Sequence, residues 1–398
     1  MNTKSIDDVG LKGKKILVRV DFNVPIKNGE VGDDTRIAAA IPTIQKIIKS
    51  GGKAILMSHL GRPKGQVKPE FSLKPVVANL SKHLHQPVQF VDDCIGEKAE
   101  KAAANLKDGQ VLLLENLRFH KEETDNDPGF AQKLAKLGDI YVNDAFGSAH
   151  RAHASTEGVT KFIQPAVAGY LMQKEIEYLG QALEDPKRPF VAIIGGAKIS
   201  GKIDVIKNLL NKVDTLLVGG GMIFTFYKAE GLVIGGSLLE EDRIAEADSL
   251  LKMKLPANRR MVLPDDILIA DKLEAPFKTK TVAKNAIPEG WIGVDIGEKS
   301  QAEFTKLIKA AKTIVWNGPM GIFETDEFAR GTLAVGKAVV DATQAGAVSI
   351  VGGGDSVAAL TKMGMKDKVS HASTGGGASL EFLEGKTLPG VAALTKKD

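Results

Sequence analysis

Val348-Ser-Ile-Val-Gly-Gly-Gly-Asp-Ser356 joins a short apolar run to three glycines and two small polar residues. The run Val348 to Val351 has the length and β-branching of a strand buried on both faces. Gly352, Gly353 and Gly354 then let the chain turn with no Cβ in the way, so that bare N–H groups can approach an anion. A helix is expected next, capped by Asp355 or Ser356. Its N-terminus would carry unsatisfied donors and partial positive charge, an arrangement suited to phosphate. Asp355 adds a carboxylate that could hold Mg²⁺. One such turn could equally be a tight strand-to-helix connection. A second, Ala372-Ser-Thr-Gly-Gly-Gly-Ala-Ser379, favours the phosphate reading.

The same grammar runs back through the first half of the chain. The strand Lys15-Ile-Leu-Val-Arg-Val20 leads into Asp21-Phe-Asn-Val-Pro25, and Thr35-Arg36 opens an amphipathic helix with Ile37, Ile41, Ile44, Ile47 and Ile48 on its apolar side. Gly51-Gly52 ends that helix. Lys53-Ala-Ile-Leu-Met57 delivers Ser58-His-Leu-Gly-Arg-Pro63, Val111-Leu-Leu-Leu114 delivers Glu115-Asn-Leu-Arg118, and Ile140-Tyr-Val142 delivers Asn143 to Arg151. In open parallel sheets ligands bind outside the carboxyl ends of the strands. His59, Arg62, Arg118 and Arg151 follow such ends and Arg36 begins a helix at the same edge, so five basic groups are expected around one crevice. A small polyanion bearing phosphate and carboxylate would make that much like charge tolerable.

Tyr170 to Asp185 has helical spacing at Leu171, Ile176, Leu179 and Leu183, and Pro186 and Pro189 stop it. This helix, residues 170–186 with its end, reads as a linker and hinge element between a first domain, 1–169, and a second, 187–387. The second half restarts with Phe190-Val-Ala-Ile-Ile194 before Gly195-Gly-Ala-Lys-Ile-Ser-Gly-Lys202. Further strands are Thr215 to Val218, Met261 to Leu263 and Thr313 to Trp316, with helices between them throughout, so a second α/β domain is expected. Its strand ends carry glycines rather than arginines. That contrast predicts a nucleotide held by backbone in the second domain and a small anion held by side chains in the first. Lys198 and Lys202 are candidates to neutralise phosphate oxygens, with both expected to be shielded from solvent.

Composition narrows the alternatives. A chain of 398 residues, 43% hydrophobic and 26% charged, is a globular protein long enough for two cores. A net charge of +4 is too small to argue for nucleic acid, and aromatics at 5% leave no interleaved stacking platform. The single cysteine, Cys94, excludes an internal disulfide and fits a reducing, cytoplasmic setting. No segment reads as a signal peptide or a membrane span. His150-x-x-His153 has no cysteine partners nearby, and His83-x-His85 reads as a solvated helix end, so a structural metal is not expected. Gly196-x-x-x-x-Gly201-Lys202 matches a P-loop until Ile203, where the Mg²⁺-binding hydroxyl should stand, so a P-loop NTPase is disfavoured. The absence of a Gly-x-Gly-x-x-Gly run disfavours a nicotinamide dehydrogenase.

Taken in order, these stretches closely resemble phosphoglycerate kinases over essentially the whole chain. The resemblance rests on Val18 to Pro25, Ser58 to Pro63, Leu114 to Phe119, Asn143 to Gly147, His150-Arg151, Gly195 to Lys202, Trp316 to Glu324, Gly352 to Ser356 and Ser373 to Gly377. It implies two Rossmann-like three-layer α/β domains with parallel sheets, usually in a monomer, and a C-terminal tail, 388–398, packed on the first domain. It implies reversible, Mg²⁺-dependent phosphoryl transfer between 1,3-bisphosphoglycerate and ADP, giving 3-phosphoglycerate and ATP. Asp21, Asn23, Arg36, His59, Arg62, Arg118 and Arg151 are implied to bind the glycerate ligand. On the nucleotide side it points to Lys202 at the phosphates, Glu324 at the ribose, Gly293 near the base, and Gly352, Gly353, Gly354 and Asp355 around phosphate and metal. No general base is needed, because the attacking oxygen is already anionic. Charge cancellation is what the reaction requires, and Arg36, Lys198 and the N–H groups of Gly353 and Gly376 are the expected contributors, acting after hinge closure.

Overall fold

A computed structural model describes residues 2–397; Met1 and Asp398, the outer ends of the first domain and of the tail, lie outside the described residues. The chain divides into two compact units, residues 1–177 with 387–398, and residues 178–386. The division falls inside the helix Tyr170–Glu184.

The first unit is built on six parallel strands in the order Val88–Val91, Val111–Leu114, Lys53–Met57, Lys15–Arg19, Ile140–Asn143 and Ala166–Ala168. The central strands are buried along most of their length, as near-continuous apolar runs require. Helix Thr35–Lys49 turns Ile37, Ala40, Ile44 and Ile47 into the core beside Val18, Leu56 and Leu113. Ile41 and Ile48 sit at its margin, only partly buried. The chain's end lies along this unit: the Thr395 N–H donates to the Ala166 carbonyl at 2.8 Å, and Asn143 Nδ2 donates to the Gly390 carbonyl at 3.2 Å.

The second unit repeats the plan with Arg260–Val262, Thr215–Val218, Phe190–Ile194, Thr313–Asn317, Val348–Gly352 and His371–Ala372, again all parallel. Its core packs Ile193, Leu217, Ile314, Trp316 and Val351 against Val335 and Val339 of the helix Arg330–Gln344. Strict strand–helix alternation fails once. Asp266–Ala270, Thr279–Ala283 and Ile292–Ile296 form a separate three-stranded antiparallel sheet. The outer strand Thr279–Ala283 is almost wholly exposed, so no buried apolar run announced it in the sequence.

Candidate active site

In the first unit the loops after the parallel strands carry the basic residues to one edge. Arg62, Arg118 and Arg151 line a single cavity of about 370 Å³, together with Lys64, His120, Lys121 and His153. Asp21, Asn23 and Arg36 form a second group. Arg36 donates from one guanidinium nitrogen to Asp21 Oδ2 at 3.1 Å and to the Asn23 carbonyl at 3.2 Å. Gly61 links the groups, because its N–H donates to Asn23 Oδ1 at 2.9 Å while its carbonyl accepts from Arg118 at 2.8 Å.

One expectation about this edge is corrected. His59 is buried, and burial together with Arg19, Arg118 and Arg36 holds its pKa well below the usual imidazole range. It is therefore a neutral ring at pH 7, not a fifth cation. The cation in its place is Arg19, at the end of the strand Lys15–Arg19 and fully buried. Its guanidinium lies 3.1 Å from His59 Nδ1 and donates to Ser155 Oγ at 2.8 Å. A charged residue inside an otherwise apolar strand was the available signal, since arginine is almost never fully buried without partners.

Beneath the arginines lies a compensating layer that sequence spacing did not show. Glu123 is fully buried and accepts two bonds from Ser155, at 2.6 Å and 2.9 Å. Burial pushes its pKa up, against the opposing pull of Arg19. Burial, with Arg118, Arg19 and Arg151 adding to it, lowers His153 to about 4 and leaves it neutral. Arg118 itself is brought down to about 10 by burial and by its neighbours Arg19 and Arg151. So much like charge at one edge is unfavourable without an anion to complete it.

The second unit presents a different surface. Strand Val348–Gly352 ends on its glycine, Gly353 turns at φ +86°, and the helix Gly354–Lys362 begins at once. Neither Asp355 nor Ser356 caps this helix. Both lie inside its first turn, and Ser356 Oγ instead accepts from the Gly318 N–H at 2.6 Å, tying this loop to the neighbouring one. Gly376, at φ +53°, precedes the helix Gly377–Leu383 in the same manner. Gly353, Gly354, Asp355, Gly376, Lys198 and Lys202 line one cavity of about 340 Å³. Gly352 is buried behind it.

Lys202 is largely buried and hydrogen-bonds Asn317 Oδ1. Burial brings its pKa down to about 8, with Asp355 and Glu384 opposing the change. Lys198 is exposed, contrary to the expectation that its glycine-rich surroundings would shield it: the loop turns that side chain outward.

An adjoining cavity of about 360 Å³ shares Gly196, Ala197 and Asp355 with the first. Ile223, Phe224, Leu238, Val294 and Met320 make it apolar, and Gly293 and Glu324 also line it. A Cβ on Gly293 would lie 2.0 Å from the Phe224 ring, so the strand can pass the ring only as glycine. Asp295 was missed by the sequence reading. It is buried on this wall, accepts from the Gly331 N–H at 2.6 Å, and is raised to about 7 by burial.

An apolar chamber joined to a glycine-lined chamber with a lysine and a carboxylate is a nucleotide-binding arrangement, and with a polyanion site on the other sheet it defines a phosphotransferase. The model of the family "Phosphoglycerate kinase" matches residues 6–386. A phosphoglycerate kinase of Chlorobium limicola is 57% identical over 395 residues, covering 99% of this chain and all of that protein. A cytosolic phosphoglycerate kinase of Triticum aestivum is 57% identical, covering 98% and 97%. The solved phosphoglycerate kinase of Coxiella burnetii superposes with a TM-score of 0.90 at 43% identity, covering 98% of each chain. The chain belongs to the phosphoglycerate kinase family. Its reaction is reversible phosphoryl transfer between 1,3-bisphosphoglycerate and ADP, with a carboxyl group as acceptor in the reverse direction, and its substrates are these small molecules. Among the described residues no helix is long and apolar enough to cross a membrane.

Proposed function

We propose that the first unit binds the glycerate substrate through Asp21, Asn23, Arg36, His59, Arg62, Arg118 and Arg151, and that the second binds the nucleotide. The observation that carries this reading is the division of chemistry between the sheets: arginine forks at one edge, bare glycines with Lys202 and Asp355 at the other. The base and ribose occupy the apolar chamber near Gly293 and Glu324, and the phosphates lie against Gly352, Gly353 and Gly354 with Lys202. His59 takes part as a neutral hydrogen-bonding ring, positioned by Arg19.

Mg²⁺ is assigned to Asp355. A single exposed carboxylate shared by both chambers suits an ion that arrives on nucleotide phosphates, since Mg²⁺ keeps several waters and uses one or two carboxylates. The ion would neutralise phosphate oxygens there. The remaining work belongs to the protein's own groups. An anionic oxygen of the acceptor forms the new P–O bond as the bond to the leaving oxygen breaks, so no base is required. Arg36 and Lys198 flank the group in transit, and the N–H groups of Gly353 and Gly376 face its equatorial oxygens. Lys198, solvated at the cavity rim, turns inward only for this step. Since donor and acceptor belong to different units, transfer requires domain closure, with the helix Tyr170–Glu184 as hinge. We place the enzyme in the cytosol as a monomer, following its free, buried cysteine and the cytosolic plant relative.

The test is turnover of ATP with 3-phosphoglycerate in Arg36→Ala, read with a coupled assay that removes the acyl phosphate. Loss of one transition-state donor lowers kcat by roughly a hundredfold or more. Near-normal turnover removes Arg36 from this role.

A further inference from the structure

We propose that Asp93, Cys94 and His120 form a binding site for a thiophilic divalent cation, with Zn²⁺ as its probe. Asp93 and Cys94 follow the strand Val88–Val91, and His120 follows the loop after its parallel neighbour Val111–Leu114. The two strands thus deliver a carboxylate, a thiol and an imidazole to one point, with ligand atoms within 4.8 Å of one another. His120 Nε2 already lies 2.8 Å from Asp93 Oδ1, and Phe130 holds the ring from the side, centroids 5.3 Å apart. A zinc ion has bonds of about 2.0 Å to nitrogen and oxygen and 2.3 Å to sulfur. It replaces the proton between His120 and Asp93 if that pair opens by a few tenths of an ångström and the sulfur closes in. Three protein ligands of N, O and S type with one open position are a zinc donor set, and the thiolate discriminates against the Mg²⁺ of the reaction.

Binding converts the Cys94 thiol to a thiolate and releases its proton to solvent. Cys94 is buried, while the side chains of Asp93 and His120 remain 40% and 28% exposed and leave the ion a way in.

The experiment titrates the full-length, chelator-treated protein with Co²⁺ and then Zn²⁺. The expected result is one Co²⁺ per chain, bound with release of a proton and with a thiolate-to-cobalt charge-transfer band in the near ultraviolet that Zn²⁺ then erases. Cys94 is the only cysteine, so no other side chain can give that band. Cys94→Ser should lose the band, and Asp93→Asn should weaken Co²⁺ binding at least about tenfold. Absence of the band in the wild type at saturating Co²⁺ overturns the proposal whatever the variants do. So does equal Zn²⁺ affinity in the wild type and a folded Cys94→Ser, which would leave His120 and Asp93 as an ordinary structural ion pair.

Discussion

Replacing Lys202 with methionine should make the protein at least as stable and nearly inactive. Burial of the ammonium moves its pKa from 10.5 to about 8, which corresponds to roughly 3 kcal/mol against the charged form. The folded chain holds this proton less tightly than the unfolded chain does. The penalty is therefore fully present below about pH 8 and is relieved as pH rises toward 10.5. Methionine fills a similar volume and removes the penalty. It also leaves Asn317 Oδ1 without its donor, which costs about 1–3 kcal/mol. The balance near neutral pH lies between no change and about 2 kcal/mol of stabilisation, while losing the ammonium that holds the nucleotide phosphates lowers kcat roughly a hundredfold or more. Urea unfolding followed by tryptophan fluorescence reads the relevant half of the chain, because Trp291 and Trp316 are its two tryptophans and both belong to the second unit. A coupled assay on the same samples gives kcat. A variant destabilised by several kcal/mol, or one that turns over within about threefold of wild type, would refute the reasoning.

Gly293→Ala places a methyl 2.0 Å from the Phe224 ring, which is itself buried and packed edge-on against Tyr227 at 5.9 Å. The crowding costs about 1–3 kcal/mol and drives the ring into the apolar chamber, so KM for Mg·ATP should rise about tenfold with KM for 3-phosphoglycerate unmoved; an unchanged nucleotide KM would take Gly293 away from the base. Asp144→Asn tests a buried carboxyl whose Oδ1 accepts from the N–H groups of Leu171 and Met172 at 2.9 Å and 3.2 Å, and whose pKa burial raises from 3.8 to about 6. The folded chain holds this proton more tightly, so the stability it contributes is present at about pH 4 and is lost as pH rises through about 6. Asparagine keeps the acceptor and cannot ionise. The variant should match wild type near pH 4 and exceed it by up to about 3 kcal/mol near pH 7, a gap that thermal unfolding at the two pH values would show; an equal difference at both would contradict the titration.

Much of this site was legible because parallel strands buried on both faces leave an unmistakable apolar run, and the residues just after each run must lie at the ligand-binding edge. That logic brought Arg62, Arg118 and Arg151 to one cavity, and Gly353 and Gly376 to another. It was blind to burial of single polar groups. Arg19 was hidden because it sits within a strand, His59 counted as a cation because nothing local shows that three arginines surround it, and Lys198 was placed inward on the strength of glycines that in fact turn it outward. Ser356 satisfied a capping pattern, yet a loop thirty-eight positions away claims its oxygen. The antiparallel sheet that carries Gly293 has an outer strand, Thr279–Ala283, that faces solvent and so lacked the apolar signature.

The central claim is that the two ligands are held by different halves of the chain through different chemistry. A crossed binding experiment tests it, with isothermal titration of 3-phosphoglycerate and of Mg·ATP into Arg118→Met and Asp355→Ala. Losing a charge-assisted bond of about 1.5–3 kcal/mol should weaken 3-phosphoglycerate at least about tenfold in Arg118→Met and leave Mg·ATP within about twofold. Asp355→Ala should show the reverse pattern. Comparable loss of both ligands in either folded variant would contradict the account.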